Sequence, residues 1–265
     1  MEEIIFYILI FMIGTLFGSF STLAVYRLPL HQDITHKRSY CPNCNHKLAF
    51  WDMIPVLSYI FLGGKCRYCG KKIRIRYLLL EILTGMVFLL FAMSIKIDLY
   101  HINVSKFAYL ICGLLYMAGL IIIAGIDKEK RKINKPVLVY EVVILSLYMI
   151  YLYIVENTNI HRYVIYLIAL LVLFAIDTIK LKRKEKDSYV VQIVILAILQ
   201  AIFSYGYGFM LTAIIALLAI AIEGLIRKII KKDEDYYKNL PIGFYLCFAN
   251  IITIIMINIL AFVRV

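Results

Sequence analysis

The sequence has little charge and few acidic side chains. Charged residues make up 17% of its 265 residues, while hydrophobic residues make up 63%, and the mean hydropathy is +0.86. A soluble domain has no use for so much apolar surface, so this composition excludes an ordinary soluble protein and predicts a membrane protein. Only 17 Asp and Glu are present, which leaves few carboxylates for chemistry. No internal repeat or low-complexity tract is evident.

Long apolar runs predict an all-α polytopic membrane protein. About 20 apolar residues are needed to cross the hydrocarbon core of a bilayer. The first run begins Met-Glu-Glu and is followed by Arg27, which favours a retained span over a cleaved signal peptide. We expect about eight spans, of which the sixth is the shortest, at residues 4–26, 77–95, 105–126, 137–155, 161–179, 189–204, 207–226 and 241–262.

The basic residues are confined to alternate loops. The net charge is +12, and 25 of the 29 Lys and Arg lie in residues 27–76, 128–135, 180–186 and 227–238. Positive loops stay in the cytoplasm, which predicts that all four are cytoplasmic and that both termini lie outside. This role in topology accounts for the charge, so no nucleic-acid partner is needed.

Two Cys-x-x-Cys knuckles stand in the only long polar stretch. Such spacing supplies four thiolates, the ligand set of a closed structural zinc site, and a reducing cytosol favours metal over the alternative of disulfides. Asn45 and Gly70 follow the knuckles and allow the chain to turn. Cys112 and Cys247 lie in apolar spans, where small buried hydrophobic side chains are expected. The predicted zinc ligands are Cys41, Cys44, Cys66 and Cys69.

A few carboxylates lie in spans or close to them, where an ionisable group is a candidate for function. Two carboxyl groups from different helices can share one proton, so that one accepts a proton from water while the other polarises a peptide carbonyl. The pair Asp127 and Asp187 is our candidate for such an aspartyl dyad. The alternative to a catalytic role for each residue is a structural one, as a charge at a helix interface or as a group at a helix end. The candidates are Asp52, inside the loop between the knuckles, and Glu81, Asp127, Glu141, Asp177, Asp187 and Glu223, in spans or at their ends.

Between residues 18 and 85 a series of motifs carries a family resemblance. In order, identity and spacing these motifs resemble the type IV prepilin peptidases, bifunctional membrane aspartyl proteases that also N-methylate the new pilin end. Thr22 and Leu78 depart from the usual Asn and Pro. The motifs are Gly18-Ser-Phe20, Tyr26-Arg-Leu-Pro29, Arg38-Ser-x-Cys41-Pro-x-Cys44-x-His46-x-Leu48, Trp51-Asp52-x-Ile54-Pro55, Ser58, Gly64-Lys-Cys66-Arg-x-Cys69, Arg76-Tyr77, Glu81 and Leu83-Thr-Gly85.

The resemblance implies which carboxylates are catalytic. Ala124-Gly-Ile-Asp127 fits the family's first catalytic motif, with Asn134 in place of its proline. The second motif is Gly-x-Gly-Asp, and its best register here is Lys184-Glu185-Lys186-Asp187, which lacks both glycines. Pro241-Ile-Gly243 matches the family's Pro-x-Gly and supports this register. Asp177 is the alternative to Asp187. Lysine replaces glycine poorly where an unusual backbone is required, and this departure supports the alternative of a non-catalytic relative.

The resemblance also implies partners and cofactors. The substrate is a prepilin or pseudopilin with a short basic leader, and the methyl donor is S-adenosylmethionine. No Gly-x-Gly-x-x-Gly loop marks a donor site. Arg27 and Glu81 are candidates for positioning the substrate, with helix-end or interhelical pairing as the alternative. The expected location is the bacterial inner membrane, in contact with lipid.

We therefore expect three parts in the chain. Residues 1–26 form the first span, residues 27–76 a cytoplasmic zinc-binding domain, and residues 77–265 a peptidase body of about seven helices. A non-catalytic relative that binds pilins as a zinc-held scaffold is the main alternative. A transporter is disfavoured because no paired Gly/Pro-broken helices mark a site at the membrane midplane.

Overall fold

The computed structural model describes residues 1–36, 38–100, 103–156, 161–182, 188–204, 207–231 and 240–263. In these ranges the structure is helical and contains no β-strand, only two isolated β-bridges in the cysteine-rich stretch. The α-helices are α1 (Glu2–Arg27), α2 (Leu57–Phe61), α3 (Arg76–Ile95), α4 (Val104–Lys130), α5 (Lys135–Glu156), α6 (His161–Lys182), α7 (Ser188–Phe203), α8 (Tyr207–Ile226) and α9 (Ile242–Val263).

Each of the eight predicted spans coincides with one of the long helices. Within the described residues, six helices are long and apolar enough to cross a membrane, and the apolar parts of α6 and α7 are shorter, at Val164–Ile179 and Tyr189–Phe203. The prediction of an all-α polytopic membrane protein is confirmed. The number of eight spans stays a prediction.

The chain separates into two compact units, Met1–Asn103 and Val104–Val265. In the first unit α1 and α3 pack antiparallel through small residues. A Cβ atom added to Gly14 would lie 2.8 Å from the Cα of Gly85, and one added to Gly18 would lie 2.7 Å from the Cα of Glu81. Only glycine permits this close approach, because a side chain at either position would collide with the backbone of α3.

In the second unit α4 is the most deeply buried helix and packs against α5 and α9. A polar network crosses its core. The Tyr116 hydroxyl donates to Oδ1 of Asn250 at 2.9 Å, and Nδ2 of Asn250 donates to the hydroxyl of Ser204 at 2.6 Å. Polar groups within a membrane must find partners inside the protein, so this network fixes how α4, α9 and the end of α7 meet.

Candidate functional site

The first unit gathers the four predicted metal ligands into one cluster. Their sulfur atoms all lie within 4.8 Å of one another, and the sulfurs of Cys41 and Cys69 are 3.9 Å apart. Tetrahedral zinc with Zn–S bonds of about 2.3 Å would place its sulfurs about 3.8 Å apart. All four cysteines are free thiols rather than disulfides. The spacing and chemistry of this donor set therefore fit a four-thiolate metal ion.

Both knuckles have the same backbone geometry. In each one, the N–H of the first cysteine donates to the carbonyl five residues later, and the N–H four residues later donates back to the cysteine carbonyl, at 2.8–3.0 Å. Asn45 and Gly70 have φ angles of +56° and +68°. Both residue types tolerate this left-handed conformation, which turns the chain around the sulfurs.

Two exposed thiols of the cluster, Cys44 and Cys69, differ in acidity. The backbone N–H of Lys71 and the side-chain amide of Asn43 lower the pKa of Cys69 to about 6. The backbone N–H of His46 favours the thiolate of Cys44, but desolvation and the neighbouring sulfurs outweigh it and raise the pKa of Cys44 to about 11. Cys69 is therefore the more acidic of these two thiols and the more readily ionised.

Asp52 ties the loop between the knuckles to the second knuckle. Its side chain is only 2% exposed and accepts hydrogen bonds from Nε of Arg67 at 2.7 Å and from the hydroxyl of Tyr68 at 3.2 Å. The N–H of Ala49 also donates to it, at 3.2 Å. Burial opposes ionisation, but these donors hold the pKa of Asp52 below its usual value.

Glu81 holds a strained turn in place. Val56 has φ +62° and ψ −54°, and the N–H of Leu57 donates to the carbonyl of Pro55 at 2.6 Å. This is a γ-turn of the rare, strained type, and it is unusual for a β-branched residue. The N–H of Val56 donates to Oε2 of Glu81 at 2.8 Å. Glu81 thus fixes residues 55–57 to α3, and its predicted role in positioning substrate stays a prediction.

Arg27 is buried at the end of α1 and closes the loop that follows. Its Nη1 donates to the carbonyl of Asp33 at 3.0 Å, and its Nη2 donates to the carbonyl of Arg38 at 3.4 Å. These bonds direct the chain from the first helix towards the first knuckle. Its predicted role in positioning substrate also stays a prediction.

In the second unit the carboxylate of Asp127 lies in a polar cradle and is fully buried. Its Oδ1 accepts a hydrogen bond from the hydroxyl of Tyr189 at 2.8 Å, and its Oδ2 accepts one from the N–H of Phe244 at 3.0 Å. The Tyr189 hydroxyl accepts a bond of 3.1 Å from the N–H of Ile242. The ends of α4, α7 and α9 therefore meet at this one carboxylate.

The first turn of α9 approaches Asp127 very closely. A Cβ atom added to Gly243 would lie 3.0 Å from Oδ2 of Asp127. Glycine leaves room for the carboxylate, and the N–H groups and dipole of a helix N-terminus favour a negative charge there. Pro241, just before the helix, presents no N–H of its own. This contact explains why the Pro-x-Gly motif ends in glycine.

A basic pocket of about 160 Å³ lies beside this cradle. Glu223 in its wall accepts bonds from Nε and Nη2 of Arg227, at 3.0 and 2.7 Å, and from the hydroxyl of Tyr245. Nζ of Lys128 lies 4.2 Å from the ring centre of Phe244. The remaining lining residues are Arg131 and Pro241.

The second predicted catalytic carboxylate, Asp187, lies outside the described residues. Asp177, its alternative, is buried in α6, and its Oδ2 lies 2.8 Å from Nζ of Lys135. Glu141 is buried in α5, and an added Cβ on Gly119 would collide with its Oε1. The dyad of Asp127 and Asp187 thus stays a prediction.

Tyr189 is the site residue that the sequence did not reveal. It stands near the start of an apolar span, where tyrosine is common at membrane interfaces. Its position two residues after Asp187 is the one available signal, because a span that follows a catalytic loop begins close to the site.

Comparison with known proteins finds a family match in the N-terminal third of the chain. Residues 12–95 match the family model of the bacterial peptidase A24 N-terminal domain. This stretch contains both knuckles, Arg27 and Glu81. No solved structure matches the chain.

Curated relatives extend the similarity. The prepilin leader peptidase/N-methyltransferase of Myxococcus xanthus is 44% identical over 84 residues, 32% of this chain and 25% of that protein. The proteins of the same name from Klebsiella pneumoniae and Bacillus subtilis are each 33% identical, over 130 residues (46% of this chain, 52% of that protein) and 132 residues (50% of each). The matches thus span about half or less of these relatives. They confirm the resemblance drawn from the sequence motifs.

Proposed function

We propose, on the premise that residues 12–95 form a bacterial peptidase A24 N-terminal domain, that this chain processes type IV prepilins or pseudopilins. It would remove their short basic leader at the cytoplasmic face of the bacterial inner membrane and N-methylate the new N-terminal residue. The names of the relatives support both activities. The proposed organisation keeps residues 1–26 as the first span, 27–76 as the cytoplasmic metal domain and 77–265 as the peptidase body.

The buried carboxylate of Asp127 is the observation that carries the peptidase proposal. It ends the Ala-x-x-Asp motif, and it is oriented by the Tyr189 hydroxyl and the first turn of α9. An acid buried at the end of an apolar helix is costly unless its surroundings are built for it. This cradle, with a glycine cleared for close approach, is such a surrounding.

Asp187 is the proposed partner of Asp127. It stands two residues before Tyr189 in the sequence, and the Tyr189 hydroxyl bonds to Asp127. In the proposed reaction one carboxylate accepts a proton from water as the water oxygen attacks the peptide carbonyl. The other, protonated, carboxyl donates a hydrogen bond to the carbonyl oxygen. The peptide C–N bond then breaks, and the leaving amine takes up the proton.

Zinc is the metal we propose for the cysteine cluster. Cys41, Cys44, Cys66 and Cys69 would hold it in a closed tetrahedral site, and the bound ion would stabilise the fold of the polar stretch. Four thiolates leave no open position for a substrate. The metal therefore has a structural role, and no reaction step passes through it.

S-adenosylmethionine is the methyl donor that the resemblance implies. The sequence has no Gly-x-Gly-x-x-Gly loop, and no described residues are assigned to the donor. The methylation half of the proposal is supported by the names of the relatives.

Co-expression in a bacterium that lacks its own prepilin peptidase tests the function. The chain is expressed with prepilins, and the N-termini of the products are read by mass spectrometry. We expect loss of the leader and a gain of one methyl group. Asp187→Asn should abolish cleavage, while Asp177→Asn should retain it. If Asp177→Asn lost cleavage and Asp187→Asn retained it, Asp177 would be the second catalytic carboxylate. Binding of prepilins with no cleavage by the wild type would favour the scaffold function.

A further inference from the structure

The loop between the two knuckles exposes several large apolar side chains. We call residues 50–61 the aromatic segment. Within it Phe50 is 69% exposed, Trp51 70% and Phe61 84%, and the rings of Phe50 and Trp51 meet edge to face at 5.7 Å. Leu57 and Ile60 are also exposed. Water is a poor environment for so much apolar surface in so short a stretch, so this surface requires a partner.

Glu81 fixes the depth of the aromatic segment relative to the first unit's spans. The N–H of Val56, in the middle of the segment, donates to Oε2 of Glu81 at 2.8 Å. Glu81 lies five residues after Arg76, where α3 begins, which is about 7.5 Å along the helix axis. The 20 residues of α3 extend about 30 Å, close to the thickness of the hydrocarbon core. The segment therefore meets α3 about 7.5 Å inside the end of that helix, at the level of the upper acyl chains just below the headgroups.

The surroundings of the segment suit lipid rather than a soluble partner. Because α1 and α3 pack antiparallel, residues 28–75 leave and re-enter the membrane at the same face. Residues 27–76 carry ten Lys and Arg and only two acids. Basic charge attracts the anionic headgroups of a bilayer, and Trp and other aromatic side chains concentrate at the membrane interface.

We propose that the aromatic segment is inserted in the interfacial layer of the bilayer, with Phe50, Trp51 and Phe61 among the lipid headgroups and upper acyl chains. The lipid surface is the partner that covers these side chains. The strained turn at Val56, held by Glu81, gives the segment its position at that depth.

Such insertion would hold the metal cluster against the membrane. Asp52 follows Trp51 directly and bonds to Arg67 and Tyr68, which lie between the cysteines of the second knuckle. The inserted segment is thus connected to the metal site through one buried carboxylate. If the proposed function holds, the cluster stays where a membrane-anchored prepilin leaves the bilayer. The insertion itself does not depend on that function.

Trp51 is the only tryptophan of the chain, so fluorescence reports on this segment alone. The full chain is reconstituted into vesicles of phosphatidylcholine and phosphatidylglycerol, with and without brominated acyl chains. We expect a blue-shifted emission that brominated lipid quenches severalfold more than aqueous iodide does. An emission maximum typical of tryptophan in water, together with strong quenching by iodide, would overturn the proposal. Shielding from both quenchers would also overturn it, because a protein surface would then cover the segment.

Two variants that move the single tryptophan provide matched controls. Trp51→Phe with Phe61→Trp should show the same quenching by brominated lipid. Trp51→Phe with Lys47→Trp places the probe on the first knuckle, at an exposed position, and should be quenched by iodide. Unchanged metal content shows that each variant is folded. Lipid quenching of the second variant but not of the first would contradict the assignment of the inserted surface.

Discussion

The carboxylate of Asp127 accepts a hydrogen bond of 2.8 Å from the hydroxyl of Tyr189, a residue 62 positions further along the chain. The same hydroxyl accepts the N–H of Ile242, so it connects the carboxylate to the start of α9. Asp127 is therefore oriented by contacts from α7 and α9. This arrangement predicts that changes on α7 and α9 affect the proposed chemistry without touching a carboxylate.

Replacing the tyrosine tests this orientation. Tyr189→Phe keeps the ring but removes the donor to Asp127 and the acceptor for Ile242. A hydrogen bond to a charged group contributes about 1.5–3 kcal/mol, so we expect leader cleavage to slow by about 10- to 150-fold. The rate is measured on a purified prepilin in detergent. Tyr151→Phe removes a hydroxyl that bonds only weakly to Ser105 and should cleave at the wild-type rate. Equal rates in both variants would show that Tyr189 does not orient the site.

A methyl group on the first turn of α9 should disturb the same site. In Gly243→Ala the added Cβ would lie 3.0 Å from Oδ2 of Asp127, so either the carboxylate or the helix must move. We expect a large loss of cleavage with little change in thermal stability. Gly208→Ala is the matched control, because its Cβ would meet the end of the flexible Ile257 side chain. Cleavage by Gly243→Ala at the wild-type rate would contradict the close approach.

The sequence predicted Asp127 but not its cradle. The Ala-x-x-Asp motif and the end of an apolar run mark the residue, and the Pro-x-Gly motif marks the start of α9. Only its place two residues after Asp187 points to Tyr189 in the sequence, because its hydrogen-bond partner comes from another helix. Interhelical contacts of this kind depend on how helices pack, which a single sequence specifies only through small residues and scattered polar side chains.

The cysteine cluster leads to a prediction about how the reactivity of its thiols depends on pH in the metal-free protein. Cys69 and Cys44 are both exposed, but the pKa of Cys69 is about 6 and that of Cys44 about 11. Because the thiolate is the nucleophile, iodoacetamide at pH 7 should modify Cys69 before Cys44. A lowered pKa means that the thiolate is present above about pH 6 and is lost as the pH falls through that value.

Mass spectrometry of the metal-free protein between pH 5 and pH 8 measures this difference. Modification of Cys69 should fall steeply below pH 6, and Cys44 should react slowly throughout. Added zinc should protect both residues equally, since four thiolates then share one ion. Equal reactivity of the two thiols without metal would contradict the assigned acidities.

Asp52 should stabilise the loop between the knuckles. Asp52→Ala removes the acceptor of bonds from Arg67, Tyr68 and the N–H of Ala49. Hydrogen bonds to a buried charged group are expected to contribute about 2–3 kcal/mol in total. Limited proteolysis should then cut residues 45–65 faster than in the wild type. Glu2→Gln, at an exposed position near the N-terminus, is the control and should leave the proteolysis rate unchanged.

The metal unit was more predictable than the carboxylate site, because its ligands are close in sequence. Spacing alone identifies the four cysteines, and Asn45 and Gly70 indicate the two turns. The γ-turn at Val56 was not predictable, since a β-branched residue disfavours a positive φ. It forms because Glu81, on α3, holds the N–H of Val56, and a contact made by the tertiary fold overrides the local preference.

The most direct test of the account is the cleavage of a prepilin by the wild type and by Asp127→Asn, with zinc content measured on both. Asparagine keeps the size and polarity of the side chain but cannot accept the proton from water. We predict that the wild type removes the leader, that Asp127→Asn removes none, and that both contain about one zinc ion per chain. Normal cleavage by Asp127→Asn would contradict the central claim that this buried carboxylate performs the reaction.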